Sequence, residues 1–354
     1  MVSEPGRDVA RALDALKRGW PVTIDSDDGS ATVLSVERAD ADSLAALDSV
    51  RPADLVLSPH RAATLKLTNR REAAGGPAVR IARASIADPA AALAIADPAG
   101  DLDHPLKGPF ALAESHPAAA LAAGLWLATH QGLLPALWVV DGGWGEVRIA
   151  AGDLAMARAP DRLRRIVSAR LPLALAADAR ITGFRHEVTG EEHVALMLGR
   201  ADDRPPLVRL HSECLTGDVF GSLKCDCGPQ LHTALDRMRA DGHGVLLYLR
   251  QEGRGIGLLN KLRAYQLQDQ GFDTVDANTR LGFAVDERDY GVAAAMLGAL
   301  GIDRLRLLTN NPAKVAALAA HGVTVVERVP LTLPTTEHNE GYLATKRDRT
   351  GHQL

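Results

Sequence analysis

Cysteine is scarce in this chain: three residues in 354, all between positions 214 and 227. Thiols so few, odd in number and clustered argue against a disulfide framework and toward metal binding or catalysis. Charge of one sign is missing too. Forty lysines and arginines stand against 44 aspartates and glutamates, a formal net charge of −4. That balance gives no basic face for a polynucleotide, although it is compatible with a local basic pocket for one phosphorylated metabolite. No apolar run follows a basic start, so no secretory signal is expected. The most apolar stretch, 117–140, is interrupted by His130, Gln131, Gly132 and Pro135, and reads as a buried helix followed by a strand rather than a membrane span. A soluble, cytoplasmic protein with no polynucleotide or membrane partner is expected. Internal repeats and low-complexity linkers are also lacking.

What is present is enough apolar sequence for a sizeable core: 46% of residues are hydrophobic and 24% charged. At this length two domains are the natural expectation. Residues 8–18 read as an amphipathic helix and Pro21-Val22-Thr23-Ile24 as a strand. Strand-like runs at Ala78-Val79-Arg80-Ile81 and Leu137-Trp138-Val139-Val140 alternate with helical ones, which predicts an α/β or α+β domain. The composition changes near Ser168-Ala169-Arg170-Leu171-Pro172, and the division is placed there, as 1–167 and 168–354.

The second domain repeats one unit of strand, polar or glycine loop, and helix. Val208-Arg209-Leu210 leads into the cysteine loop and a helix from Gln230. Val245-Leu246-Leu247-Tyr248-Leu249 leads through the loop Gln251–Gly257 to a helix ending near Gln270. Leu305-Arg306-Leu307-Leu308 leads through Thr309-Asn310-Asn311-Pro312 to a helix closed by Gly322, with Asn311 as N-cap and Pro312 at the first helical position. The strand Val323-Thr324-Val325-Val326 follows. This is α/β grammar.

Cys214, Cys225 and Cys227 form a C-x10-C-x-C pattern. If Cys225 and Cys227 lie in extended chain, alternation turns both thiols to one face, with Cys214 closing from the preceding loop. Three thiolates without an obvious fourth ligand describe tetrahedral zinc with one position left for water. A structural zinc with His211 or His232 as fourth ligand, and three unrelated buried cysteines, are the alternatives. Each loop also ends at a helix N-terminus, which favours anions. Arg209, Arg254 and Lys314 sit beside those ends, as phosphate contacts or as ordinary solvated charges.

Several long segments resemble the signature of the GTP cyclohydrolase II family. They are Arg209-Leu-His-Ser-Glu-Cys-Leu-Thr-Gly-Asp218, Gly221-Ser-Leu-Lys-Cys-Asp-Cys-Gly228 and Tyr248-Leu-Arg-Gln-Glu-Gly-Arg-Gly-Ile-Gly-Leu258. Leu281-Gly-Phe-Ala-Val-Asp-Glu-Arg-Asp-Tyr290, Arg306-Leu-Leu-Thr-Asn-Asn-Pro312 and the closing Thr345-Lys346 complete the set. The resemblance runs from about 180 to 354. It implies a homodimeric α/β enzyme with one Zn²⁺ per subunit, converting GTP to a 2,5-diaminopyrimidinone ribosyl phosphate, formate and pyrophosphate, with Mg²⁺ on the phosphates, as the first step of riboflavin biosynthesis. Carried over residue by residue, it implies zinc on Cys214, Cys225 and Cys227. It implies GTP contacts from Arg209, Leu210, His211, Ser212, Glu213, Gln230, Glu252, Gly253, Arg254, Thr274, Thr309 and Lys314. Asp286 is implied as proton acceptor, Arg288 as nucleophile toward the α-phosphate, and Tyr265 as a residue beside the opened ring. Glu252 is assigned here to the guanine N1–H and 2-amino group. A guanidinium is a poor nucleophile, so an Asp286–Arg288 pair clamping the α-phosphate is the second reading of those two residues. A GTP-binding regulatory pseudoenzyme and a cyclohydrolase stopping at the formamidopyrimidine nucleotide are the alternatives for the whole.

The first 167 residues resemble 3,4-dihydroxy-2-butanone-4-phosphate synthase more faintly, through a helix followed by Gly19-Trp20-Pro21-Val22. The acidic metal-binding run expected next is reduced to Asp25-Ser26-Asp27-Asp28-Gly29-Ser30-Ala31. A later histidine element is reduced to Ser115-His116-Pro117-Ala118. Mg²⁺ needs oxygen ligands in near-octahedral order, so this domain is expected to be a degenerate, inactive α+β relative.

Overall fold

The computed structural model describes residues 4–49, 51–69, 75–331, 333 and 349; Thr345 and Lys346 lie outside the described residues. In chain order, α1 (Glu4–Lys17), β1 (Val22–Ser26), β2 (Gly29–Ser35), α2 (Ala41–Asp48), β3 (Asp54–Leu57) and α3 (Pro59–Thr64) open the fold. Next come β4 (Val79–Ile81), α4 (Pro89–Ala96), β5 (Leu112–Ala113), α5 (Ala118–His130), β6 (Ala136–Asp141), β7 (Val147–Ala150) and α6 (Leu154–Arg158). The second half continues with β8 (Leu163–Arg170), β9 (Arg180–His186), β10 (Glu192–Gly199), β11 (Leu207–Ser212), α7 (Cys227–Asp241) and β12 (His243–Leu249). It ends with α8 (Leu258–Asp269), α9 (Thr274–Arg280), α10 (Gly291–Ala299), β13 (Arg304–Leu308), α11 (Pro312–Ala320) and β14 (Thr324–Val329).

Two compact units result, Met1–Arg158 with Gly255–Glu287, and Ala159–Arg254 with Arg288–Leu354. The break falls before the expected 167/168, because β8 pairs along its length with β9 and so belongs to the second unit. The segment 255–287 also departs from a continuous 168–354 domain, since it folds with the first unit.

The first unit is built on a seven-stranded sheet, β5-β4-β3-β6-β2-β1-β7, antiparallel except for the β1–β7 pair. The strand read at Pro21–Ile24 is β1, and β2 turns back on it through Asp27 and Asp28. The apolar stretch divides as expected into α5 and β6. Trp138 of β6 is fully buried, with the Arg83 guanidinium 5.2 Å from its ring centre.

The second unit holds the sheet β14-β13-β11-β12-β10-β9-β8. Its β14, β13, β11 and β12 run parallel, as the strand–loop–helix units require, and β10, β9 and β8 add an antiparallel extension. Asn311 caps α11 by accepting from Ala313 N at 2.9 Å, with Pro312 at the first position. Leu210, Leu247, Leu305 and Met296 form the core on one side of this sheet. Parallel strands in such sheets present their carboxyl ends to ligands, and those of β13, β11 and β12 lie side by side.

His193 of β10 is 1% exposed; its Nδ1 accepts from Arg250 N at 3.1 Å, and its buried Nε2 has no hydrogen-bond partner. Burial holds its pKa down to about 4. The unfolded chain therefore binds more protons between about pH 6.5 and 4, and stability that is fully present above that window is lost as pH falls through it. In His193→Gln, thermal melts between pH 7 and 4 should show a weaker loss of stability on acidification than the parent chain, and an unchanged slope would refute the assignment.

Candidate active site

The site of the second unit is assembled where β11, β12 and β13 end. Ser212 closes β11, and the chain passes through Glu213 to Cys214, whose backbone opens a wide helical turn, Leu215–Val219. Cys225 follows in a loop, and Cys227 is the first residue of α7. The extended chain considered for Cys225 and Cys227 is thus replaced by a loop and a helix start, and it is this turn that brings the sulfurs together. The three Sγ atoms lie within 4.8 Å of one another, Cys214 and Cys225 at 3.7 Å. Among the described residues these thiols form the one group of potential metal ligands, and neither His211 nor His232 joins it. A tetrahedral ion on three sulfurs retains one open corner.

The donor set suits a soft cation. Hydrogen bonding among the crowded thiols and burial raise the pKa values of Cys225 and Cys227, the latter strongly, so the thiolate form calls for a bound cation. Gly217 N donates to Cys214 Sγ at 3.3 Å, and Cys227 sits at the positive end of α7. Gly217 lies directly over the cluster: a Cβ there would meet Cys225 Sγ at 2.8 Å, Cys227 Cβ at 2.9 Å and Cys214 Sγ at 3.0 Å.

Asp218 organises this loop, a role the sequence reading did not assign. Its carboxylate, 3% exposed, receives Cys214 N at 3.1 Å, the Tyr248 hydroxyl at 2.9 Å and His211 Nε2 at 3.0 Å. His211 and Tyr248 are register partners on β11 and β12, and their rings stack at 5.6 Å. Burial lowers the His211 pKa, and burial together with Asp218 raises that of Tyr248. Glu252 steadies the same loop from the end of β12. Its carboxylate accepts from Leu215 N at 2.7 Å and from Gly253 N at 3.0 Å. Both following residues, Gly253 and Arg254, have φ near +60°, a conformation open to glycine and costly for arginine. Glu213 is paired with Arg250 at 2.5 Å.

Arg209 and Lys314 are not solvated charges, while Arg254 is half-buried. Arg209 is buried; its Nη1 donates to Leu308 O at 3.0 Å, its Nη2 to Gln230 Oε1, and its Nε has no partner. Burial pushes its pKa down to about 10, against the opposing pull of Asp226 and Cys227, which leaves it protonated at neutral pH. Lys314, also buried, donates to Leu210 O at 2.9 Å. Thr309 holds the β13 loop by accepting from Asn311 N at 3.0 Å. The buried Ser212 Oγ has no partner either. Arg209, Gln230, Lys314, Thr309, Glu252 and the cysteines thus converge on one strand edge, together with Leu210, His211 and Ser212. Arg288, whose guanidinium lies 5.3 Å from the Tyr290 ring centre, is in the same unit. Tyr265, Thr274 and Asp286 are carried by the first unit.

In that first unit Asp25 and Asp28 of the short acidic run have structural partners. Asp25 forms a two-point pair with Arg148 at 2.5 and 2.7 Å, which holds its pKa below the usual carboxylate range. Asp28 accepts from Ala118 N at 2.7 Å at the start of α5. A Cβ on Gly29 would lie 3.6 Å from His116 Cε1, so the two reduced elements are neighbours.

Two substitutions test the thiol site. Gly217→Ala should abolish stoichiometric metal binding, measured by elemental analysis of the folded protein, because its methyl overlaps the sulfur cluster. Asp218→Asn should weaken metal affinity by roughly 10–100-fold, as loss of an outer partner does. Unchanged affinity in both would show that the loop does not shape the site.

Residues 164–330 match the family model for GTP cyclohydrolase II. A GTP cyclohydrolase-2 from Azospirillum brasilense is 44% identical over 98% of this chain and 94% of its own. The riboflavin biosynthesis protein RibBA of Bacillus subtilis is 58% identical, over 49% of this chain and 44% of its own. Among solved structures, RibBX, a two-domain 3,4-dihydroxy-2-butanone 4-phosphate synthase from A. baumannii, aligns over 92% of the chain at 17% identity with a TM-score of 0.32. The near full-length relative and the matched family model agree with the cysteine site and the buried cations of the same unit: this chain belongs to the GTP cyclohydrolase II family.

Proposed function

We propose that this protein is a GTP cyclohydrolase II of riboflavin biosynthesis, hydrolysing GTP to the 2,5-diaminopyrimidinone ribosyl phosphate, formate and pyrophosphate. The observation that carries this reading is the three-thiol cluster in the same unit as the buried cations Arg209 and Lys314, at the carboxyl end of its parallel strands. Cys214, Cys225 and Cys227 hold one Zn²⁺, which when bound supplies Lewis-acid activation of the water that opens the imidazole ring. Arg209 and Lys314 are preorganised cations for the triphosphate, and Mg²⁺ accompanies the phosphates. Asp218 orients His211 with its Nε2 toward the carboxylate, which directs the other ring nitrogen elsewhere. Glu252, whose carboxylate accepts from Leu215 N and Gly253 N, is the acceptor assigned to the guanine N1–H and 2-amino donors that adenine lacks.

Asp286, Arg288, Thr274 and Tyr265 take the roles the family resemblance implies. The side chain of Asp286 is exposed, while Tyr265 and Thr274 are half-buried, so all three are reachable. The N-terminal residues 1–167 correspond to a degenerate, inactive 3,4-dihydroxy-2-butanone-4-phosphate synthase-like domain, a reading supported by the structural pairing of Asp25 and Asp28. The protein acts in the cytoplasm as a homodimer on a soluble substrate. No helix among the described residues is long and apolar enough to cross a membrane.

Zinc-loaded protein incubated with GTP and Mg²⁺ should release formate, pyrophosphate and the pyrimidine product in equal amounts by mass spectrometry. Pyrophosphate without formate would replace the reading by an arrested reaction, and binding without product by a GTP sensor. Cys225→Ser should lower turnover by more than about 100-fold, and Glu252→Gln should raise KM for GTP. An unaltered KM would remove guanine recognition from Glu252.

A further inference from the structure

The segment 255–287 carries Tyr265, Thr274 and Asp286, yet its folding partners lie in the N-terminal half. One continuous core holds Leu34, Leu55, Leu57, Leu134 and Trp138 together with Ile256, Ala264, Leu267, Ala277, Leu281 and Phe283, each of the last six at most 4% exposed. α8 turns Ala264 and Leu267 into that core and leaves Tyr265 half-buried.

Polar contacts are equally specific. Arg61, 1% exposed, pairs with Asp101 at 2.6 and 2.9 Å and reaches Arg280 O at 3.4 Å. Ser58 Oγ donates to Gly282 O at 2.6 Å. Arg263 bridges Glu37 at 2.9 Å and Asp97 at 3.1 Å, and Asn260 Nδ2 donates to Gly132 O at 2.8 Å. Gly282 has φ +93°, and a Cβ there would meet Ser58 Oγ and Pro135 Cγ, both at 2.7 Å. Buried side chains of the N-terminal half thus bind backbone carbonyls of the segment at defined points, which fixes its register as well as its presence.

We propose that the N-terminal half serves as the intramolecular folding partner of the segment 255–287, holding Tyr265, Thr274 and Asp286 in place for the GTP reaction. Its worth to the protein is the ordering of catalytic chain, with no chemistry of its own required. The catalytic part of this statement rests on the proposed function; the folding part does not.

The test uses the full-length, zinc-loaded chain and Arg61→Gln, a position outside every GTP and metal contact named above. Backbone amides of 274–283 should exchange with deuterium at least 10-fold faster than in the parent, and GTP turnover should fall at least 10-fold. Zinc should stay at one per chain. Ser58→Ala, which leaves no charge unpaired, should give smaller changes in the same direction and carries the test where Arg61→Gln yields no folded protein. Parent-like exchange across 258–283 would overturn the proposal. So would full turnover with a freely exchanging segment, or exchange rising equally around the cysteines. A parent protein that holds zinc but does not convert GTP would count against the proposed function, and the exchange comparison would still decide the folding role.

Discussion

The second unit depends on one buried carboxylate. Asp218 is almost out of contact with water, and a charge in that position persists only with several donors aimed at it. Those donors are the backbone of a zinc-ligand candidate, a hydroxyl from β12 and an imidazole from β11. One side chain therefore ties the cysteine loop to two parallel strands. The pairing of His211 with Tyr248 across the ladder fixes where the carboxylate must stand, and the carboxylate in turn fixes where Cys214 begins its turn. Glu252 repeats the device from the other direction, accepting from the loop's next amide.

Both units set arginines against acidic groups, and the second also turns two carboxylates onto the cysteine loop. In the second unit, Asp218 and Glu252 accept from backbone amides of that loop, while Glu213 and Asp241 pair with Arg250 and Arg306. In the first, Asp25, Asp54 and Asp101 each have an arginine within 3 Å. Charges neutralised in this way strengthen a fold and lose the capacity to gather a divalent cation.

Much of this could be read in the sequence, and the reasons are local. Asn311, Pro312 and Gly322 punctuate α11 through backbone chemistry that needs no tertiary information, and the cysteine spacing survives any loop geometry. The loop and helix start at Cys225–Cys227 were harder, since a two-residue spacing fits a strand and a turn alike. The division at 167/168 rests on a change of composition near Ser168–Pro172, which falls inside β8, and only the pairing with β9 assigns that strand to the second unit. Asp218 lay inside a recognised motif, four residues after Cys214, but its partners on β11 and β12 become visible only with the strand register. The allegiance of 255–287 was the least legible feature. Ala264, Leu267, Leu281 and Phe283 announce a buried face without naming what covers it, and Ser58 and Arg61, which decide the matter, stand 224 and 219 positions from the carbonyls they bind.

The chain passes from one unit to the other three times, after Arg158, after Arg254 and after Glu287. A fusion of two independent proteins would cross once, and a single break in the gene could return it to two working parts. Here no single break separates the units, because any cut leaves at least one of them divided between the two pieces. Fission of the gene at one point is therefore no route back to two self-contained folds. The N-terminal half is held in the chain by topology, whatever chemistry it carries.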